Sequence, residues 1–150
     1  MADATIQPQR RRSSLQKILS VFEGFSIIRI AYLFGSAMEG LSSRQPSDVD
    51  IAVLLSHSKP NLETILEIND RLTAILKSPI DLVILNDCSI RTRFEVIKTG
   101  QLVHCKDAGE RIDFEQVTMA QYYDRRYYDL RATREQIQGW KRNGFQKRES

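Results

Sequence analysis

The sequence predicts an α/β (α+β) fold in which a small mixed β-sheet is flanked by helices and followed by a helical C-terminus. Three observations lead there. Short runs rich in β-branched and aromatic residues alternate with longer stretches whose apolar residues recur at helical spacing. Gly, Pro, Asn and Ser stand between them, at the positions where elements are capped or ended. The resulting order, α-β-β-α-β-α-β-α, fits a chain of 150 residues, the length of one ordinary domain.

The first helix carries Leu15, Ile18, Leu19 and Phe22 at helical spacing, with Ser13 or Ser14 as its cap and Gly24 at its end. Residues 27–34, Ile-Ile-Arg-Ile-Ala-Tyr-Leu-Phe, read as a largely buried strand that stops at Gly35-Ser36. A polar loop from Glu39 to Ser47 leads to a second apolar strand, Val49 to Leu55. Pro60-Asn61 opens an amphipathic helix whose Leu62, Ile65, Leu66, Leu72, Ile75 and Leu76 are expected on one stripe, with Pro79 closing it. A third strand spans Ile80 to Leu85. Ser89 caps a helix over Ile90 to Lys98, and Gly100 stands where a C-terminal glycine belongs. Leu102 to Cys105 suggests a short edge strand. From Ala108 to Trp140 the chain reads as helix, either one long helix or a bent pair. Residues 1–12 are polar and unpatterned, a disordered basic tail, and 141–150 form a second basic tail around a 13–140 domain.

Composition excludes several classes. At 41% hydrophobic the chain can bury a core without disulfide or metal staples. Its apolar stretches are far too short to span a bilayer, and no signal-like run follows Arg10 to Arg12, so a soluble cytoplasmic protein is expected. Cys88 and Cys105 lie far apart and read as reduced thiols. Two histidines, His57 and His104, are too few for a zinc site of the usual ligands. The net charge of +3 resides in the tails: residues 1–12 carry +2 and 141–150 carry +3, leaving about −2 on the body. Direct nucleic-acid binding is therefore not expected.

The chemistry concentrates between Leu33 and Leu55. Gly35-Ser36 ends one strand, and after eleven intervening residues Asp48-Val49-Asp50 opens the next. Strand periodicity puts Asp48 and Asp50 on one face, Cα atoms roughly 6.5–7 Å apart. Paired carboxylates at that distance suit a hard divalent cation such as Mg²⁺. If the third strand lies beside the second, Asp81 joins them. Three acids on adjacent strands make a two-metal site for in-line attack at phosphorus. Gly35 lets a triphosphate approach the backbone, and Ser36 with nearby amides faces the phosphates. Each part alone is weak, since Gly-Ser is a turn dipeptide and Asp-x-Asp is more often a solvated strand end. Their order on these elements carries the signal.

Gly35-Ser36, Asp48-x-Asp50 and Asp81 on the following strand resemble the motif of the polymerase-β-like nucleotidyltransferase superfamily. The similarity is greatest to the minimal nucleotidyltransferase (MNT) antitoxins of HEPN/MNT toxin–antitoxin modules, over roughly residues 15–135. The resemblance implies an ATP- and Mg²⁺-dependent adenylyltransferase, acting on a tyrosine of a HEPN-type RNase toxin and associating with that toxin. It implies phosphate contacts for Gly35 and Ser36, and metal binding with catalysis for Asp48, Asp50 and Asp81. Two departures stand out. The interval between Gly-Ser and Asp is one residue longer than the commonest family spacing, and the arginine often found just after Gly-Ser is replaced by Ala37-Met38-Glu39-Gly40, with Arg44 the nearest substitute.

Two rival functions remain open on the sequence: an antitoxin acting by binding alone, and transfer to a small-molecule hydroxyl such as an aminoglycoside's. The cluster of Tyr122, Tyr123, Tyr127 and Tyr128 with Arg125, Arg126 and Arg131 reads either as a partner-binding or nucleotide-contacting face, or as aromatics packed on the sheet, the second being favoured.

Overall fold

The computed structural model describes residues 6–35, 49–56 and 60–146, with side chains described from Arg12 to Asn143 within those ranges. The strands are β1 (Ile28–Phe34), β2 (Val49–Leu55), β3 (Ile80–Ile84) and β4 (Gln101–Cys105), and the helices α1 (Ile6–Glu23), α2 (Leu62–Leu76), α3 (Ile90–Thr99) and α4 (Ala108–Gln146). The sheet is mixed, in the order β3-β2-β1-β4. β1 is antiparallel to both β2 and β4, whereas β2 and β3 are parallel. The parallel pair needs a crossover, and α2 supplies it.

Alternation along the strands divides the core between the two faces. Ala31, Leu33, Ile51, Val53 and Leu55 pack with Ile18 and Phe22 of α1 and Ile68 and Leu72 of α2. Ile30, Tyr32 and Ala52 pack on the other side with Leu85, Val96 of α3 and Phe114 of α4. A register shift lies between Ile28 and Ile30, which explains why Ile28 joins the first cluster although Ile30 joins the second.

Several elements differ in detail from the expectation. α1 begins at Ile6, ahead of Ser13 and Ser14, because Pro8 falls in the first turn, where its missing N–H is tolerated. In α2 the buried residues are Ile68 and Leu72, while Leu62 and Leu66 are 66% and 51% exposed. Both lie roughly a quarter turn or more from the face seated on the sheet, so the expected stripe is too wide. Asn61 caps this helix by accepting from Glu63 N, and Lys77 closes it at φ 52°. Gly100 closes α3 in extended backbone, φ −77°, not the left-handed turn usual for a terminal glycine. A side chain there would collide with the Val96 carbonyl and come within 3.1 Å of the Leu33 carbonyl, so the glycine serves close packing.

α4 is one continuous helix, running past Trp140 to Gln146. Its first turns are tied to β1. Arg29 Nη2 and Nε donate to Glu110 Oε2 at 2.7 and 3.0 Å, and Tyr32 Oη donates to Glu115 Oε1 at 2.8 Å. Burial, reinforced by that hydrogen bond, pushes the Tyr32 phenol well above its usual pKa of 10.0. Of the aromatic cluster only Tyr122 is substantially covered. It stacks on Phe94 of α3 at 3.7 Å, whereas Tyr123, Tyr127 and Tyr128 are 56–66% exposed. The expected packing of these rings on the sheet is thus not what the structure has: Tyr122 stacks on Phe94 of α3, Tyr123 meets the same ring edge-on while largely exposed, and Tyr127 and Tyr128 face outward.

Candidate active site

Strand pairing assembles three positions in a row at one end of the sheet. Phe34, the last residue of β1, stands opposite Asp50 of β2. Asp50 in turn stands beside Asp81 of β3. Paired residues on neighbouring strands lie about 4.7–4.9 Å apart across the ladder and project to the same side. Asp50 shares its side with Ala52 and Leu54, and Asp81 shares its side with Val83, which is the side covered by α3 and α4. At this end of the sheet Asp50 is half-buried and Asp81 exposed.

Gly35 follows directly at φ +63°. Only glycine enters that region without strain. A Cβ on Gly35 would also strike Asp50 Oδ2 and lie 3.3 Å from its Cγ. The glycine is therefore required twice, for the turn and for the space the carboxylate occupies. Of the predicted site residues, the fold brings together Gly35, Asp50 and Asp81; Ser36, Asp48 and Arg44 lie outside the described residues.

Two carboxylates in register on one face repel each other unless a cation stands between them and their neighbours. They are also the hard oxygen donors that Mg²⁺ takes. The donor set at Asp50 and Asp81 thus fits a divalent cation. Among the described residues no group of three His, Cys, Asp or Glu side chains converges, the third expected carboxylate being Asp48.

Phe34 is the residue the sequence reasoning passed over. It packs against the second core cluster and shares the face of Asp50, forming an apolar flank to the carboxylates. The signal was its position two residues after Tyr32, the same period that pairs Asp48 with Asp50. The sheet end is completed from behind by Gly100 against Leu33, which anchors the α3–β4 junction beside the site.

This arrangement of mixed sheet and flanking helices is a polymerase-β-like fold. The sequence signature described as Polymerase beta, Nucleotidyltransferase matches residues 16–109, and the chain belongs to that family. It is a nucleotidyltransferase. Solved structures of similar fold come from toxin–antitoxin complexes. A chain from the complex of the tri-AMPylated HEPN toxin of Shewanella oneidensis with MNT antitoxin is 25% identical, with a TM-score of 0.64, the match covering 85% of this chain and 94% of that one. A toxin–antitoxin structure with AMP-PNP is 27% identical, with a TM-score of 0.65 and coverage of 82% and 94%. The toxin–antitoxin complex MntA-HepT shares the fold at 24% identity and a TM-score of 0.63, over 84% of this chain and 94% of that one. No curated protein matches the sequence. Among the described residues no helix is long and apolar enough to cross a membrane, and both Cys88 and Cys105 are free thiols.

Proposed function

We propose that this nucleotidyltransferase transfers AMP from ATP, with Mg²⁺, to a tyrosine hydroxyl of a HEPN-type RNase toxin, and that it neutralises the toxin in the cytoplasm. The observation that carries the chemistry is the adjacency of Asp50 and Asp81 on parallel strands with the Gly35 turn against Asp50. The partner is supported by likeness to chains of solved toxin–antitoxin complexes, one with an AMPylated HEPN toxin and one with an ATP analogue.

In this reading each residue has a distinct task. Gly35 leaves the backbone open to the triphosphate, and Ser36 with the amides after it holds the β- and γ-phosphates. Asp48, Asp50 and Asp81 would hold Mg²⁺, which when bound offsets phosphate charge and polarises the α-phosphoryl group. Asp81, the more exposed of the described pair, accepts the proton of the tyrosine hydroxyl. The tyrosine oxygen bonds to the α-phosphorus, the bond to the bridging oxygen of the β-phosphate breaks, and pyrophosphate leaves. Phe34 keeps one flank of the carboxylates apolar.

A second reading, neutralisation by binding alone, is favoured by the large uncovered surface of α4. One experiment separates the two. The cognate HEPN-type protein is incubated with this chain, ATP and Mg²⁺, and its intact mass is measured. A gain of one or more AMP units, lost in Asp50→Asn, is the expected result. A stable complex with no mass gain would move the function to binding.

A further inference from the structure

Among the described residues, the C-terminal half of α4 has few neighbours: Tyr123 meets Phe94 edge-on, and Leu130 and Thr133 line a cleft with Ser89 and Ile90. Gly139 apart, every residue from Tyr123 to Asn143 is exposed, a length of about 30 Å at 1.5 Å per residue. A helix of that length standing alone in water is marginal, and most helical stability comes from packing one face. This one carries a face ready for packing. Tyr123, Tyr127, Leu130, Arg134, Ile137 and Lys141 recur at alternating steps of four and three, the spacing of a coiled-coil seam. The apolar members are 48–61% exposed, and Trp140 at the edge of the stripe is 80% exposed. Tyr, Trp and Arg are the side chains most enriched at binding hot spots.

Charge selects the occupant. Between Tyr123 and Arg142 the helix holds Arg125, Arg126, Arg131, Arg134, Lys141 and Arg142 against Asp124, Asp129 and Glu135, a net of +3. Arg134 and Lys141 sit within the seam itself. A second copy of the chain would set one basic helix against another, with like charges meeting in the seam. A surface with an apolar centre and acidic surroundings satisfies both features at once.

Position agrees with this. The cleft beside Ser89 and Arg91, at the start of α3, is lined by Arg125, Arg126 and Asp129 of α4. The other end of α3, at Gly100, abuts Leu33 next to the catalytic carboxylates. The exposed half of α4 therefore leaves from the side of α3 remote from Asp50 and Asp81, and docking there keeps the site open to an incoming hydroxyl.

We infer that the exposed half of α4, from Tyr123 to Arg142, is the docking surface for an acidic, apolar-centred helical face of the HEPN-type toxin; this rests on the partner proposed above. The test uses the full chain and the cognate HEPN-type protein, with affinity measured by calorimetry. Tyr127→Ala with Leu130→Ala, and separately Arg134→Glu, are expected to weaken binding at least about tenfold each. Both variants are expected to keep the wild-type melting temperature and the wild-type thermal shift with ATP and Mg²⁺, since these side chains touch neither the core nor the site. Arg134→Lys should retain most of the affinity. If the wild type binds and the variants bind equally well, the docking assignment is overturned while the partner reading stands. If the wild type does not bind at all, the partner reading fails and takes this inference with it. If the chain alone is a dimer in light scattering and Arg134→Glu or the double variant makes it monomeric, the face serves a second copy and the inference is overturned.

Discussion

The backbone of Gly35 turns at φ +63° against the carboxylate of Asp50, leaving no room for a Cβ between them. Strand ladder, turn and carboxylate therefore depend on one another. Gly35→Ala is expected to act at both levels. A left-handed alanine costs about 1–2 kcal/mol, and the methyl group displaces Asp50 from its place beside Asp81. We expect nucleotidyl transfer to fall at least about 100-fold, with a melting temperature only a few degrees lower. Transfer at wild-type rate in Gly35→Ala would show that the position of Asp50 is not critical.

Asp50→Asn and Asp81→Asn test the carboxylates separately. Each removes a negative charge without removing volume, so both variants should fold. Each is expected to lower transfer at least about 100-fold, the scale seen when one preorganised group is removed. If Asp81 also accepts the tyrosine proton, Asp81→Asn retains ATP binding while losing turnover. Equal loss of ATP binding and turnover would restrict Asp81 to metal binding.

Metal dependence follows from the same pair. Chelation of divalent cations should abolish transfer, and added Mg²⁺ should restore it. The chain's melting temperature should rise on adding Mg²⁺ with ATP by linkage, and Asp50→Asn should lose that rise. Transfer that survives chelation would remove the metal from the reaction.

Asn86 makes a stability prediction away from the site. Its side-chain amide donates to the Leu55 carbonyl at 2.7 Å and accepts from the Leu55 amide at 2.8 Å, continuing the β2 ladder past the end of β3. Asn86→Ala leaves both backbone groups of Leu55 without this partner, a cost of about 1–3 kcal/mol. For a chain of this size that corresponds to a drop of roughly 2–10 °C in melting temperature. A change below 1 °C would mean that water replaces the amide.

Tyr32 predicts an alkaline limit. Its phenol is buried and donates to Glu115, so its pKa in the fold lies above the ordinary value. The folded state therefore holds the proton more tightly than the unfolded chain. This contribution is complete below about pH 10 and is lost progressively as pH rises toward the folded value. Tyr32→Phe should lower stability at neutral pH by about 1 kcal/mol and flatten the fall of melting temperature above pH 10. An unchanged alkaline slope would assign that fall to other groups.

Much of this fold was legible because its signals are local. The runs Ile28–Phe34, Val49–Leu55 and Ile80–Ile84 announce strands through β-branched residues, and Asn61 and Ser89 announce helix starts through their side-chain acceptors. Gly35, Asp50 and Asp81 were likewise readable as a pattern of glycine and acids at strand ends. The tertiary structure decided what depends on register and on neighbours. That Asp50 pairs with Asp81 requires β3 to lie parallel to β2, a choice made by the α2 crossover and invisible to periodicity. The exposure of Leu62 and Leu66 depended on how α2 sits on the sheet, and the extended backbone of Gly100 on the closeness of Leu33. The aromatic residues of α4 show the division most plainly. Helical spacing is set within a few residues, so the helix itself was predictable from sequence. Whether Tyr122 packs on Phe94 while Tyr127 faces solvent is set by contacts nearly thirty residues apart, which only the folded chain brings together.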